Sequence, residues 1–209
     1  MVSKNNELKI FLFSCLWVGL LEAVWVFLLS GKTGLAGLGA LRIVQSILIL
    51  ITAYHVDGNF HFMGLSSDRI QTGLQKGLLW SSAFGVITGI GFFFLYQNHI
   101  NPFRVFHVNL PQEPFHTVLF FLVGGLVAPI AEELFFRGIL YRFFRKWGLL
   151  FAIASSTMIF SLAHPGASYV QITGGIVFAI SYEKEKNLIV PITIHSLGNL
   201  SLFSLSLFT

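Results

Sequence analysis

Only 11% of the 209 residues are charged and 55% are hydrophobic, whereas a soluble domain usually has about 25% charged residues. With a mean hydropathy of +0.76, this composition excludes a water-soluble globular protein. The net charge of +4 does not indicate nucleic-acid binding. The basic residues form short clusters between apolar runs, where they set the orientation of a membrane protein.

About seven apolar runs follow one another along the chain, and each is predicted to be a transmembrane helix. Helices are expected because every backbone polar group within a bilayer must be paired, and the runs lack the alternation of a transmembrane barrel. The predicted fold class is therefore all-α, a polytopic membrane helix bundle, with residues 1–209 forming a single integral membrane domain. The runs are Leu8–Leu29, Leu35–Tyr54, Leu74–Tyr96, His116–Tyr141, Leu149–His164, Tyr169–Tyr182 and Leu188–Phe208.

The basic residues between the runs predict an N-in, C-out orientation. With the N-terminus in the cytoplasm, only Lys32 and Arg104 fall outside, which agrees with the excess of Lys and Arg in cytoplasmic loops. The residues placed inside are Lys4, Lys9, Arg69, Lys76, Arg142, Arg145, Lys146, Lys184 and Lys186.

The first three runs contain two features that indicate helix packing. Glu22 and Arg42 fall at similar depths in the first two runs, which predicts an intramembrane ion pair; a substrate-contacting or gating role is the alternative. In the third run, small residues recur at every fourth position and allow another helix to approach closely. They are Gly73, Gly77, Ser81, Gly85 and Gly89.

The fourth run contains two adjacent carboxylates, Glu132 and Glu133, whose side chains leave the helix about 100° apart. Glu133 and Arg137 stand at i and i+4, so an ion pair between them is expected. Glu132 is then left for the interior, where a carboxylate with access to water can act as a general base.

Three further polar residues lie in the later runs. His164 ends the fifth run, and His195 and Asn199 share one face of the seventh because they are four residues apart. A lone histidine on an apolar face is more often a core residue than a catalytic one. Two intramembrane histidines together with an asparagine and a Glu-Glu-x-x-x-Arg motif favour a site.

This part of the chain resembles the CAAX prenyl protease and bacteriocin-processing family, whose motifs are E-E-x-x-x-R, F-x-x-x-H and H-x-x-x-N/D. The three motifs occur here in that order and define a catalytic core of about residues 116–209. They are Glu132, Glu133 and Arg137, then Phe160 and His164, then His195 and Asn199.

The resemblance implies an intramembrane endopeptidase in which Glu132 and His164 activate water while His195 and Asn199 stabilise the oxyanion. Glu133, Arg137 and Phe160 would support the site. No cofactor is expected. The alternative is a zinc protease with Glu132, His164 and His195 as ligands, which the absence of an H-E-x-x-H motif disfavours.

One geometric difficulty accompanies this site. Counted from the cytoplasmic ends of the runs, Glu132 and His195 lie at a depth of roughly 12 to 15 Å, but His164 lies nearer 25 Å. A common polar cavity therefore requires a tilted, thinned bundle or a deeply placed connection at residues 142–147.

Two other functional classes remain as alternatives: a non-catalytic binding or immunity protein, and a small transporter. The predicted partners are the lipid bilayer and a membrane-associated protein or peptide substrate, with no nucleic acid. The motif residues do not distinguish prenylated proteins from peptide precursors or sorting-signal tails. The predicted location is a bacterial-type cytoplasmic membrane, as a multi-pass protein.

Overall fold

The computed structural model describes residues 3–29, 32–164 and 169–208, and within these ranges every regular element is helical. Eight helices occur in the described ranges. They are α1 Lys4–Leu29, α2 Gly34–Asp57, α3 Ile70–Gln97, α4 Pro102–Val105, α5 Pro114–Arg145, α6 Leu149–Leu162, α7 Tyr169–Glu185 and α8 Ile189–Ser206.

Each of the seven predicted runs coincides with a helix. Five of the described helices are long and apolar enough to cross a membrane: α1, α2, α3 with its preceding turns, α5 and α8. The other two, α6 and α7, have 14 and 17 residues. The all-α polytopic fold is confirmed, while the N-in orientation and the extent of the domain stay predictions.

The outer surface of the bundle is apolar. Phe27, Leu79 and Leu150 are 82%, 71% and 80% exposed, as expected of side chains that face lipid rather than water. Several buried side chains are polar or charged, among them Glu133, Arg137 and His195. This reversal of the usual distribution places the chemistry of the molecule in its interior.

Helix α5 is central, because it packs against α1, α2, α6, α7 and α8. It is not uniform: π-helical segments at Val123–Val127 and Leu134–Tyr141 flank the α-helical segment Ala128–Glu133. π-helical turns are rare and often occur at functional sites, since the extra residue changes which side chains face inward. Both carboxylates of the fourth run lie between these two interruptions.

A tight turn connects α5 to α6. The second half of the bundle begins at Gly148, whose φ of 118° suits a residue without a Cβ atom. The chain therefore reverses within three residues of Arg145, and α6 packs against the end of α5.

Helices α3 and α8 pack closely through part of the predicted small-residue stripe. A Cβ atom on Gly77 would lie 2.5 Å from the Thr193 Cβ, and one on Gly73 would lie 2.7 Å from the Ile189 Cβ. Added Cβ atoms on Gly85 and Gly89 would meet nothing within 4 Å. The stripe thus serves close packing only in its first half.

The basic loops meet at one end of the bundle. Arg69 donates hydrogen bonds to the carbonyl oxygens of Glu185 (3.0 Å) and Lys186 (3.1 Å). Arg145 forms an ion pair with Glu183 at 3.0 Å. Loops far apart in sequence are therefore tied together at the end predicted to be cytoplasmic.

Glu183 is the most strongly perturbed carboxylate at this end. Partial burial raises the pKa of Glu183, but hydrogen bonds from Arg145, Lys186 and Tyr141 outweigh that effect and lower it to about 2. The carboxylate is therefore ionised throughout the neutral range and holds the cationic loops in place.

Candidate active site

Two histidines converge on the Glu132 carboxylate. The Nε2 atom of His164 lies 3.6 Å from Glu132 Oε2, and the Nε2 atom of His195 lies 3.8 Å from the same oxygen. The Glu132 side chain is 13% exposed, and the His195 side chain 6%. Three helical elements, α5, the end of α6 and α8, thus contribute one polar group each to a single buried position.

His164 is held by the last turn of α6. Its Nδ1 atom lies 2.8 Å from the Phe160 carbonyl oxygen. A carbonyl oxygen only accepts hydrogen bonds, so Nδ1 carries the hydrogen and Nε2 is directed at Glu132. The Phe160 ring contacts the imidazole at a centroid distance of 4.6 Å and limits its rotation.

His195 is oriented by Glu133. Its Nδ1 atom lies 2.9 Å from Glu133 Oε1, and Arg137 Nη1 donates to the same oxygen at 2.8 Å. The Glu133 and Arg137 side chains are fully buried, and Arg137 Nη2 also donates to the Gly175 carbonyl at 3.0 Å. The ion pair expected from the i, i+4 spacing is present, and His195 is an additional partner of Glu133.

Aromatic rings enclose the His195 imidazole and the Arg137 guanidinium. Phe178 stacks on His195 with centroids 4.5 Å apart and planes 20° apart, while Phe160 meets its edge at 5.7 Å. The guanidinium lies 4.8 Å from the Phe160 centroid and 5.1 Å from that of Phe178, which is cation–π distance. The motif analysis did not identify Phe178, because nothing in the sequence distinguishes it among 23 phenylalanines.

Asn199 connects α8 to α5. Its side-chain amide donates to the Gly124 carbonyl at 2.8 Å, within the first π-helical segment of α5. An amide group has two N–H donors, so one hydrogen remains for a further acceptor. Asn199 is one helical turn beyond His195 on the same face of α8, and its catalytic role stays a prediction.

The expected mismatch in depth between Glu132 and His164 does not prevent their contact. Helix α5 continues to Arg145 rather than ending at Tyr141, so Glu132 lies about 20 Å from the end of its helix. His164 lies about 22 Å from the start of α6 by the same count. The two side chains are thus level, because the predicted end of the fourth run was too early.

The metal alternative requires three ligands around one point. Within the described ranges, no group of three or more His, Cys, Asp and Glu side chains is arranged to hold a metal ion. The zinc alternative, with Glu132, His164 and His195 as ligands, stays a prediction.

A second polar cluster lies in the first two helices. Arg42 forms the predicted ion pair with Glu22, and Gln45 bonds to both partners. Helix α2, which carries Arg42, packs against the Ala128–Glu133 segment of α5. Two residues of the cluster therefore lie on a helix that contacts the segment carrying Glu132.

A protein-family model matches the second half of the chain. Residues 114–201 match the family described as Type II CAAX prenyl endopeptidase Rce1-like. YdiL, a candidate membrane peptidase of Bacillus subtilis (strain 168), is 32% identical over 84 residues, which are 39% of this chain and 34% of that protein. The chain thus spans about a third of the length of this relative. No solved structure matches the chain.

Proposed function

We propose that this membrane protein is an intramembrane glutamic endopeptidase, because residues 114–201 match the Type II CAAX prenyl endopeptidase Rce1-like family. It hydrolyses a peptide bond in a membrane-associated or lipidated protein or peptide. The observation that carries the proposal is the convergence of His164 Nε2 and His195 Nε2 on the Glu132 carboxylate.

Glu132 acts as the general base. Separations of 3.6 and 3.8 Å are too long for direct hydrogen bonds and suit a bridging water. Glu132 takes one proton from this water as its oxygen bonds to the scissile carbonyl carbon. When the C–N bond breaks, the Glu132 carboxylic acid returns that proton to the leaving amine.

His164 orients the attacking water. Its Nδ1 hydrogen is bonded to the Phe160 carbonyl, so the Nε2 lone pair accepts the second hydrogen of the water. With Glu132 accepting the first hydrogen, the oxygen lone pair of the water is left to attack the carbonyl carbon.

His195 and Asn199 stabilise the oxyanion of the tetrahedral intermediate. Because Glu133 accepts the Nδ1 hydrogen of His195, Nε2 donates to an oxyanion only in the doubly protonated ring. The Glu133 carboxylate, 2.9 Å from Nδ1, and the Glu132 carboxylate, 3.8 Å from Nε2, together balance the charges of Arg137 and that imidazolium. A well-placed donor of this kind lowers the barrier by about 3 to 4 kcal/mol.

The substrate class follows from the membrane setting and from the family. The Rce1-like family is described as CAAX prenyl endopeptidases, so a prenylated or otherwise lipid-anchored chain end is the substrate that the proposal favours. The proposed location is a bacterial-type cytoplasmic membrane; the relative from the bacterium Bacillus subtilis is named as a membrane peptidase.

The test compares the protein with its Glu132→Gln variant in lipid nanodiscs, on a farnesylated, internally quenched peptide with a CAAX end. Losing the base lowers the cleavage rate by about 100- to 10,000-fold. Glu113→Gln is the matched control. The Glu113 side chain is 58% exposed, and its ion-pair partner is His116. Its rate remains that of the unmodified protein.

A second measurement does not depend on the choice of peptide. Protein termini are sequenced from the membranes of a deletion strain that carries either the unmodified gene or Glu132→Gln. New termini that require Glu132 support the protease. Identical termini together with an uncleaved peptide overturn it and favour a binding or immunity protein on the same scaffold.

A further inference from the structure

The polar cluster on α1 and α2 lies outside the family-matched residues 114–201. Arg42 Nη1 pairs with Glu22 and donates to Gln45 Oε1 at 2.7 Å, while Gln45 Nε2 donates to Glu22 Oε1 at 3.0 Å. Ionisable side chains within a bilayer are costly and commonly mark functional sites.

The Glu22–Arg42 ion pair is partly exposed, whereas the Glu133–Arg137 ion pair is buried. The Arg42 and Glu22 side chains are 21% and 36% exposed, whereas those of Arg137 and Glu133 are fully buried. The hydrogen bonds of Arg42 to its two partners both use Nη1, and its Nε atom is buried without a hydrogen-bond partner. A guanidinium has five N–H donors, so Arg42 retains the capacity to bind another acceptor.

Arg42 and the catalytic carboxylate lie on neighbouring helices. By residue count, Arg42 lies about 22 Å from the predicted cytoplasmic end of α2, and Glu132 lies about 20 Å from that of α5. The two helices approach closely at Gly39, where an added Cβ would lie 2.9 Å from Val123 Cγ2.

We propose that Arg42 binds a carboxylate group of the substrate close to the scissile bond, while Glu22 and Gln45 hold the guanidinium in the free protein. The inference rests on the proposed function, in which Glu132 is the catalytic base. A substrate carboxylate that enters the bilayer requires a cationic partner. The planar guanidinium suits it because it bonds carboxylates in a bidentate manner.

The test measures binding in the Glu132→Gln background, so that no cleavage occurs. The probes are a farnesylated peptide with a free C-terminal carboxylate, the same peptide as a C-terminal carboxamide, and a carboxamide peptide with Glu as its last residue. The free acid binds about 10-fold more tightly than the plain carboxamide. Equally tight binding of the third probe identifies a side-chain carboxylate as an accepted source.

Substitution of the cluster assigns the preference to Arg42. Arg42→Gln reduces the preference for the acid to about 2-fold or less. Arg42→Lys leaves an intermediate preference, because lysine keeps the positive charge but cannot form the bidentate hydrogen bonds of a guanidinium. Glu22→Gln tightens binding of the acid, since it removes the competing carboxylate. Lys76→Gln, which breaks an ion pair with Glu185 at the end of the bundle, leaves the preference unchanged.

The outcomes separate the carboxylate site from the protease. Equal binding of acid and carboxamide, absence of binding by either, or a preference that survives Arg42→Gln in a folded variant overturns the carboxylate site. Circular dichroism and the unfolding temperature establish that the variant is folded. A preference that depends on Arg42, in a protein whose Glu132 form cleaves none of the probes, supports the carboxylate site and contradicts the proposed protease.

Discussion

Two neighbouring residues, Glu132 and Glu133, have the same side chain and different surroundings. Glu132 faces the Nε2 atoms of His164 and His195, whereas Glu133 faces Arg137 and the Nδ1 atom of His195. The division follows from their different directions around the helix. His195 touches both carboxylates, so the proposed base and the buried ion pair are linked through one imidazole.

The Glu133→Gln substitution is expected to destabilise the protein strongly. It leaves the fully buried Arg137 charge without its partner, and breaking such a pair costs about 3 to 5 kcal/mol. The free energy of unfolding in detergent micelles measures this loss. Glu132→Gln serves as the control. It changes stability little, because the ion-pair partner of Arg137 among the described residues is Glu133 and not Glu132.

A double substitution tests whether the loss of stability comes from the unpaired charge of Arg137. Glu133→Gln combined with Arg137→Met removes both charges, and its free energy of unfolding recovers part of the loss seen in Glu133→Gln alone. A double variant less stable than Glu133→Gln contradicts the assignment of the cost to an unpaired Arg137.

Peptide cleavage is expected to proceed without a metal ion. In the proposed mechanism Glu132 serves as the base and the two histidines as its partners, so treatment with EDTA or 1,10-phenanthroline is expected to leave the cleavage rate unchanged. Elemental analysis of the purified protein accompanies the rate measurement. Stoichiometric zinc whose removal abolishes activity, with recovery on adding zinc back, contradicts the glutamic mechanism.

At the scale of single helices, the interruptions of α5 are the feature that propensity does not reveal. The segment Leu134–Tyr141 continues the apolar run without a proline, yet it is π-helical. Seven of its eight residues, together with Glu133, are buried against several neighbouring helices. Contacts with those neighbours select the backbone geometry. Because such contacts are not visible in the local sequence, the sequence pattern predicted a regular helix.

The α3–α8 contact provides a matched pair of glycine substitutions. Gly77→Ala places a Cβ 2.5 Å from the Thr193 Cβ, and overpacking of this kind costs about 1 to 3 kcal/mol. Gly89→Ala meets nothing within 4 Å and is neutral or stabilising by up to about 1 kcal/mol, because alanine favours helix. Unfolding temperatures of both variants in the same detergent test the contrast; equal effects contradict the packing assignment.

At the scale of the whole molecule, charge is distributed unevenly between the two ends of the bundle. Arg69, Arg145 and the loop after α7 meet at one end through hydrogen bonds and an ion pair. Lys32 and Arg104 belong to connections that the predicted N-in orientation places outside the cytoplasm. The predicted direction of insertion follows from the excess of basic residues at the first of these ends.

The orientation is tested with reporter fusions. A fusion after the last residue of α8 is expected to be active with alkaline phosphatase, which requires export, and dark with green fluorescent protein, which folds in the bacterial cytoplasm. A fusion at residues 184–187 gives the opposite pair of results. Reversed signals at both positions contradict the N-in, C-out prediction.

The sequence by itself determined membrane residence, the all-α fold and the residues that lie in the interior. Long apolar runs leave the backbone no economical alternative to helices, and each intramembrane polar residue stands out against them. The i, i+4 spacings also predicted two geometric facts, the Glu133–Arg137 pair and the common face of His195 and Asn199, because they depend on a single helix.

Only the tertiary structure decided which side chains meet across helices. The approach of His164 to Glu132, the bond between His195 and Glu133, and the stacking of Phe178 on His195 depend on helix ends, tilts and π-helical turns. None of these is encoded in one segment, since they result from the packing of several helices at once. The sequence identified the polar groups; packing determined their partners.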